Sequence, residues 1–241
     1  MEQIELNNTD SHKARFQNTC LQNGLQISDV QVNQFVRYVE ELKTWNQKIN
    51  LISRKDEENI WNAHVLHSAS LLFFLKFPAG ASVLDLGTGS GLPGIPLKIL
   101  MPDLKITLLD STKKKIDAVA DMVRKLELNN IHTVWGRAED VNRKPEYSHK
   151  TDIIVARAVA PLSDLLKWSV PFLNSNSEKQ TENLSAPALV TLKGGDLQDE
   201  VRAIQHHKRI KNIRIIDIVF KNINAPELQG KKIVVVDLKK E

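Results

Sequence analysis

Val83-Leu84-Asp85-Leu86-Gly87-Thr88-Gly89-Ser90-Gly91-Leu92-Pro93-Gly94 is the stretch that decides the fold. A short apolar strand, Ser82 to Leu86, delivers the chain into a turn that needs positive φ angles and backbone without side-chain bulk; glycine supplies both. In open α/β sheets, ligands bind at the carboxyl ends of the strands, where such a turn lies. The spacing separates ligand classes. The dinucleotide fingerprint G-x-G-x-x-G needs a third glycine at position 92 and finds Leu92. Pro93 and Pro96 disfavour a helix that opens at once with free N–H groups aimed at a pyrophosphate. No Gly-Lys-Ser/Thr follows, which removes the P-loop. A glycine-rich turn with a purely structural role is the alternative at this point.

Outward from the turn, strands and helices alternate. The pattern predicts helix over 96–100, strand over 105–110, helix over 113–128, strands over 131–135 and 152–156, and helix over 162–173. A strand over 188–192, a helix over 196–207 and β-rich segments at 213–220 and 232–238 complete it. Short apolar strands alternating with helices predict an α/β fold, a mostly parallel sheet covered on both faces. The short connection after Phe220 predicts an antiparallel pair at the C-terminal end. Upstream, Ser28 is the expected N-cap of a helix bearing Val32, Phe35, Val36, Val39, Leu42 and Trp45 at helical spacing, and a second amphipathic helix is expected from about Glu57 to Leu75. Residues 1–24 are polar and weakly patterned, with fraying expected to about Gln22. The expected organisation is a flexible 1–24, a helical 25–78 and a main domain at 79–241.

The 241 residues carry 33 Lys and Arg against 29 Asp and Glu, a formal charge of +4, which permits a nucleic-acid partner without requiring one. Hydrophobic residues at 41% and charged residues at 26% argue against disorder. One cysteine, Cys20, excludes an internal disulfide and a cysteine-rich zinc site. The longest apolar stretch, Leu71 to Phe77, is broken by Lys76 and falls short of the ~20 residues of a membrane span. The polar N-terminus lacks a leader pattern, so a cytoplasmic location is expected.

D-x-G-x-G-x-G, as read at Asp85 to Gly91, is the pattern of Rossmann-like methyltransferases that bind S-adenosylmethionine, whose sulfonium needs no phosphate cradle. Asp110 ends the next strand at a distance where an acid accepts ribose hydroxyls, although an ordinary turn residue is the alternative. Gly136-Arg137-Ala138-Glu139-Asp140 follows the third strand, where the loop of this architecture faces adenine; on spacing alone it reads as a charged surface loop.

Trp45-Asn46-x-x-Ile49-Asn50-Leu51, His64-x-x-x-Ser68, the 87–96 segment with its two prolines, Leu109-Asp110-Ser111, Arg137-Ala138-Glu139, Ala156-Arg157-Ala158 with Leu162, and Leu192-Lys193-Gly194 together resemble the ribosomal RNA small subunit methyltransferase G family, also called glucose-inhibited division protein B. The resemblance covers nearly all of 25–240. It implies a Rossmann-like class I methyltransferase with a seven-stranded, mostly parallel sheet and an antiparallel C-terminal strand. It also implies methyl transfer from S-adenosylmethionine to N7 of a guanine in 16S rRNA, within the 30S subunit or an assembly intermediate. The implied cofactor residues are Gly87, Gly89, Gly91, Leu92, Asp110, Ser111, Ala138, Glu139 and Arg157, with Arg157 and Lys193 as catalytic candidates, no metal, and a monomer. The family often reads His-x-x-Asp-Ser; here His67 stands in place of the acid, which puts any carboxylate role there in doubt.

The chemistry is consistent with this. N7 of guanine has an in-plane lone pair and no proton, so transfer needs no general base and rests on alignment and electrostatics. No Asn/Asp-Pro-Pro-Tyr/Phe segment of the kind used on exocyclic adenine nitrogens occurs, and Cys20 lies far from any strand end. Candidates for RNA contact are Arg37, Lys48, Arg54, Lys55, Lys113 to Lys115, Arg137, Arg157 and Lys193. A solvated helix start is favoured for Lys113 to Lys115, helix packing for Trp45, and core or surface positions for His64 and His67. The competing readings are a small-molecule methyltransferase with the helical region as an apolar lid, a ribosome-docking module that binds cofactor without turnover, and, last, an NAD-dependent oxidoreductase.

Overall fold

The computed structural model describes residues 2–223 and 225–240, with side chains from residue 11 onward. Seven strands form one sheet: β1 (Ser82–Leu86), β2 (Lys105–Asp110), β3 (Ile131–Trp135), β4 (Ile153–Arg157), β5 (Ala188–Gly194), β6 (Ile210–Asp217) and β7 (Lys231–Leu238). The order is β3-β2-β1-β4-β5-β7-β6. β1 to β5 pair in parallel, and β7 lies antiparallel to both β5 and β6, so β7 alone is reversed. The order switches direction between β1 and β4, which opens a crevice beyond their carboxyl ends.

Successive strand residues face opposite sides. One side buries Val83, Ile106, Leu108, Ile153, Val155 and Val190 against Phe35, Tyr38, Val39 and Leu42 of α2 (Asp29–Asn46). Ala118, Val119 and Met122 of α5 (Lys113–Lys125) join the same cluster. The other side buries Leu84, Leu86, Ile154, Ala156 and Leu189 against Leu162, Leu165 and Leu166 of α7 (Leu162–Ser169). The N-terminal helices thus supply half of the sheet's cover.

α2 begins as its sequence predicts. Ser28 accepts from the Gln31 amide, and the Gln31 side chain returns to the Ser28 amide, a complete capping box. Gln31 Nε2 also donates to the Ile99 carbonyl at 2.8 Å and Trp45 Nε1 donates to Asp121 at 3.0 Å, which pins α2 across α4 (Gly94–Leu100) and α5. The expectation of a flexible stretch frayed to about Gln22 is corrected: it lies in α1 (Glu2–Gln22), which packs because Phe16, Thr19 and Cys20 are buried, Phe16 meeting Phe35 edge-on at 4.9 Å.

Several elements differ from the sequence pattern. The expected single helix over 57–75 is a π-helical turn at Ile60–Leu66 and then α3 (His67–Phe74), preceded by a 3₁₀ turn at Arg54–Asp56, and β6 begins at Ile210 instead of 213. α4 starts at Gly94, two residues before the predicted start. Pro96 sits in its first turn, where a missing N–H costs nothing. The segment after β3 forms one short helical turn, α6 (Ala138–Val141), and α8 spans Gln198–Ile204. Among the described residues, no helix is long and apolar enough to cross a membrane.

Phe35 is fully buried between α1 and the sheet. Phe35→Ala should cost about 3–5 kcal/mol. Because the core is shared, the loss should appear as one cooperative urea transition moved to lower denaturant rather than as early melting of the N-terminal helices alone.

Candidate cofactor and transfer site

β1 ends in a buried acid. Asp85 Oδ2 accepts the Thr88 hydroxyl at 2.6 Å and the Gly94 amide at 2.9 Å, so one oxygen ties both ends of the glycine loop. Oδ1 is buried without a hydrogen-bond partner. Burial pushes the Asp85 carboxyl up to about 7, against the Thr88 and Gly94 donors and the charge of Arg157, which pull it down. Gly94 is obligatory by contact, since a Cβ there would lie 2.3 Å from Leu108 Cδ2 and 2.8 Å from Asp85 Oδ2. Gly87 has φ +72°, and a Cβ there would lie 2.7 Å from Val159 Cγ2.

The neighbouring strand holds the loop from the side. The amides of Gly87 and Thr88 both donate to the Leu109 carbonyl at 2.9 Å. Asp110 Oδ2 accepts the Gly89 amide at 2.9 Å and Oδ1 the Thr112 amide at 2.8 Å. Each carboxylate oxygen keeps a second lone pair for a ligand hydroxyl. A cleft of about 150 Å³ opens here between Gly87, Asp110, Ser111, Ala138, Glu139, Val159 and Trp168. The residues expected at the adenosine end therefore come together, with Ala138 and Glu139 on α6. Gly89 and Gly91 shape the loop. Leu92 is buried in the core beneath it, at 2% exposure.

The two strand-end cations have different surroundings. Arg157, at the end of β4, is half-buried. Its Nη1 donates to His64 Nδ1 at 2.9 Å and to the Ala63 carbonyl at 3.3 Å. Burial lowers the Arg157 pKa from its ordinary value; the guanidinium stays charged. Ala158, directly after it, turns the chain with φ +53°. Lys193, on β5, donates to the Ala160 carbonyl at 2.7 Å and to Glu200 at 2.6 Å.

Around Arg157 the histidines are neutral. Burial, then the nearby charge of Arg157, pushes His64 down to about 4 and His67 to about 3. Both are core positions, as the sequence favoured. Trp45 is engaged with Asp121 and Lys48, in keeping with packing. The sequence reading passed over Tyr38, whose buried hydroxyl donates to the Ser90 carbonyl at 3.0 Å and braces the loop from α2. Its place on the apolar face with Phe35 and Leu42 was the available signal. Trp168 and Val159 in the cleft wall carried none.

Fold and loop define a Rossmann-like, S-adenosylmethionine-dependent methyltransferase. Solved structures agree on the fold. The chain is similar to an S-adenosylmethionine-dependent methyltransferase from Aquifex aeolicus (TM-score 0.53, 14% identity, 82% of this chain and 97% of that one). It is also similar to M. jannaschii TYW2 in complex with AdoMet (TM-score 0.51, 16% identity, 80% and 78%). By sequence, residues 31–228 match the family model of rRNA small subunit methyltransferase G. The chain is 37% identical over 212 residues to ribosomal RNA small subunit methyltransferase G of Bacteroides fragilis, covering 88% of this chain and 95% of that protein. Identity to the Acetivibrio thermocellus protein of the same name is 40% over 185 residues, 73% and 75% of the two chains. The chain belongs to the rRNA small subunit methyltransferase G family.

Asp85 binds a proton more tightly when folded than when unfolded, so its contribution to stability is lost as pH rises from about 4 to about 7. His64 and His67 act oppositely, since their lowered values favour folding as pH rises. The difference between variants isolates Asp85: Asp85→Asn should gain stability relative to wild type across that window, read as urea midpoints against pH. Midpoints that run parallel would reject the buried, proton-binding carboxyl.

Proposed function

We propose that the protein transfers the methyl group of S-adenosylmethionine to N7 of a guanine in 16S rRNA. We further propose that it acts as a cytoplasmic monomer on the 30S subunit or an assembly intermediate. The observation that carries this reading is the placement, at one strand edge, of a bare glycine turn, the Asp110 carboxylate and the Arg157 guanidinium. Family membership supports the RNA substrate.

The residues present fit the cofactor. Positive-φ backbone at Gly87 and Gly89 leaves a cradle that a side chain would fill, and Asp85 Oδ1 is a buried acceptor awaiting a donor. Asp110 and Ser111 would take the ribose, with Ala138 and Glu139 beside the adenine; Gly91 and Leu92 fix the floor. When bound, S-adenosylmethionine supplies an electrophilic methyl carbon on a cationic sulfur.

The protein's own task is then alignment. N7 attacks through a lone pair that carries no proton, so no side chain must act as base in this step. This suits a site whose histidines are neutral and whose acid, Asp85, is held near its own protonation point. Arg157 orients the guanine or its phosphate from the strand edge and shapes the field in which charge moves from sulfur to the base. Lys193 enters as a brace, holding the β4–α7 connection through Ala160 and Glu200.

Two variants separate binding from transfer. Gly87→Val, strained at positive φ, should abolish cofactor binding by calorimetry while the fold is kept. Arg157→Ala should retain cofactor affinity and lose turnover by roughly 10–100-fold. Wild-type turnover in Arg157→Ala would remove that residue from the site. For the substrate, 30S subunits from a strain lacking this protein should accept one methyl group on a guanine, located by mass mapping. RNA affinity should fall as salt rises. Subunits that remain unmethylated, or a flat salt response, would reject the RNA reading.

A further inference from the structure

Arg157 is the cation that the proposed reaction places against the substrate, and no carboxylate lies within hydrogen-bond distance of it among the described residues. What holds it is the π-helical turn at Ile60–Leu66. In this turn the His67 amide reaches back to the Asn62 and His64 carbonyls, which leaves the Ala63 carbonyl to accept Arg157 Nη1 alongside the His67 ring. One residue on, His64 presents Nδ1 to the same Nη1 at 2.9 Å. A guanidinium only donates, so Nδ1 is the unprotonated nitrogen and the ring proton sits on Nε2. Nε2 is buried and makes no hydrogen bond; the Asp56 carboxylate stands 3.7 Å from it, a charge close by, and Asp56 itself accepts the Ser53 hydroxyl at 2.7 Å. Anion, neutral ring and cation stand in line, from the start of the helical segment to the end of β4.

The chain of contacts uses only one arm of the guanidinium fork. Nη1 makes both bonds, and Nε and Nη2 make none among the described residues. π-turns are rare and cluster at functional sites. This one delivers two acceptors to a single nitrogen.

We propose that His64 is a positioning residue for methyl transfer: through Nδ1 it fixes the Arg157 guanidinium so that the free arm faces the base to be methylated, and the nearby Asp56 charge favours the tautomer with its proton on Nε2. This rests on the reading of Arg157 given above and extends it to residues with no contact to substrate.

The test uses the purified full chain and unmethylated 30S subunits. His64→Leu should lower kcat roughly 10–100-fold, the size expected of a misplaced reacting group, with KM and cofactor affinity unchanged. His64→Asn, which keeps an oxygen acceptor near the Nδ1 position, should restore most of the rate. In an Arg157→Ala background, His64→Leu should cause no further loss. Equal damage from Asn and Leu, or a full additional loss in that background, would overturn the proposal. Nitrogen-15 NMR of the wild type at pH 7 gives a readout independent of turnover and of variant folding. It should show His64 neutral with its proton on Nε2; a proton on Nδ1 would overturn the proposal. Wild-type turnover in Arg157→Ala would instead remove the functional reading beneath it, and the NMR result tells that failure from a failure of the His64 contact itself.

Discussion

A single buried carboxylate carries the architecture of the site. Asp85 leaves β1 inside the core, where an unpaired charge would be costly, and meets that cost by accepting from Thr88 and Gly94 at the two ends of the loop. The same contacts that make the acid tolerable make the loop rigid. Gly94 has no room for a Cβ because the acid and Leu108 occupy the space, so the helix that follows packs against the strand at its first residue. Asp110 repeats the device one strand over, holding Gly89 from the side. The binding turn is therefore a rim of the hydrophobic core, positioned by two adjacent strands.

This explains why the N-terminal helices are part of the catalytic half of the molecule. A lid would touch the loop only when closed. Here the Tyr38 hydroxyl is buried against the Ser90 carbonyl, and Phe35, Val39 and Leu42 share one cluster with Val83 and Val155 of the sheet. The π-turn approaches from the same side and reaches Arg157. Loop and guanidinium are both indexed to one helical layer. That arrangement disfavours the lid of the small-molecule alternative.

The strands at 82–86, 105–110 and 131–135 were legible in the sequence because short apolar runs end at turn residues, and the glycine spacing separated methyl donor from dinucleotide. Local pattern failed where tertiary contact decides. A 3.6-residue period cannot reveal a π-turn whose reason is an arginine 93 positions away. α6 is four residues long and charged, below what periodicity detects. His64 was read as a core or surface residue, and its actual partner follows only from the order that sets β4 beside β1. Phe16 and Cys20 are too few apolar positions to mark 11–22 as packed helix until Phe35 and Trp61 are placed against them.

Arg157 and Lys193 looked equivalent as strand-end cations, and their surroundings divide them. Lys193 is a compact ammonium whose side chain is 11% exposed, and Glu200 neutralises it while also accepting the Leu162 amide at the start of α7. Its donors are directed into the protein, closing the β4–α7 connection. Arg157 has a neutral ring and a carbonyl as acceptors, so its charge is oriented without being cancelled. The planar fork allows this division, because Nη1 is anchored while the other two nitrogens make no hydrogen bond among the described residues. The two strand ends thus differ: the arginine at β4 is anchored with its charge uncancelled, and the lysine at β5 is neutralised.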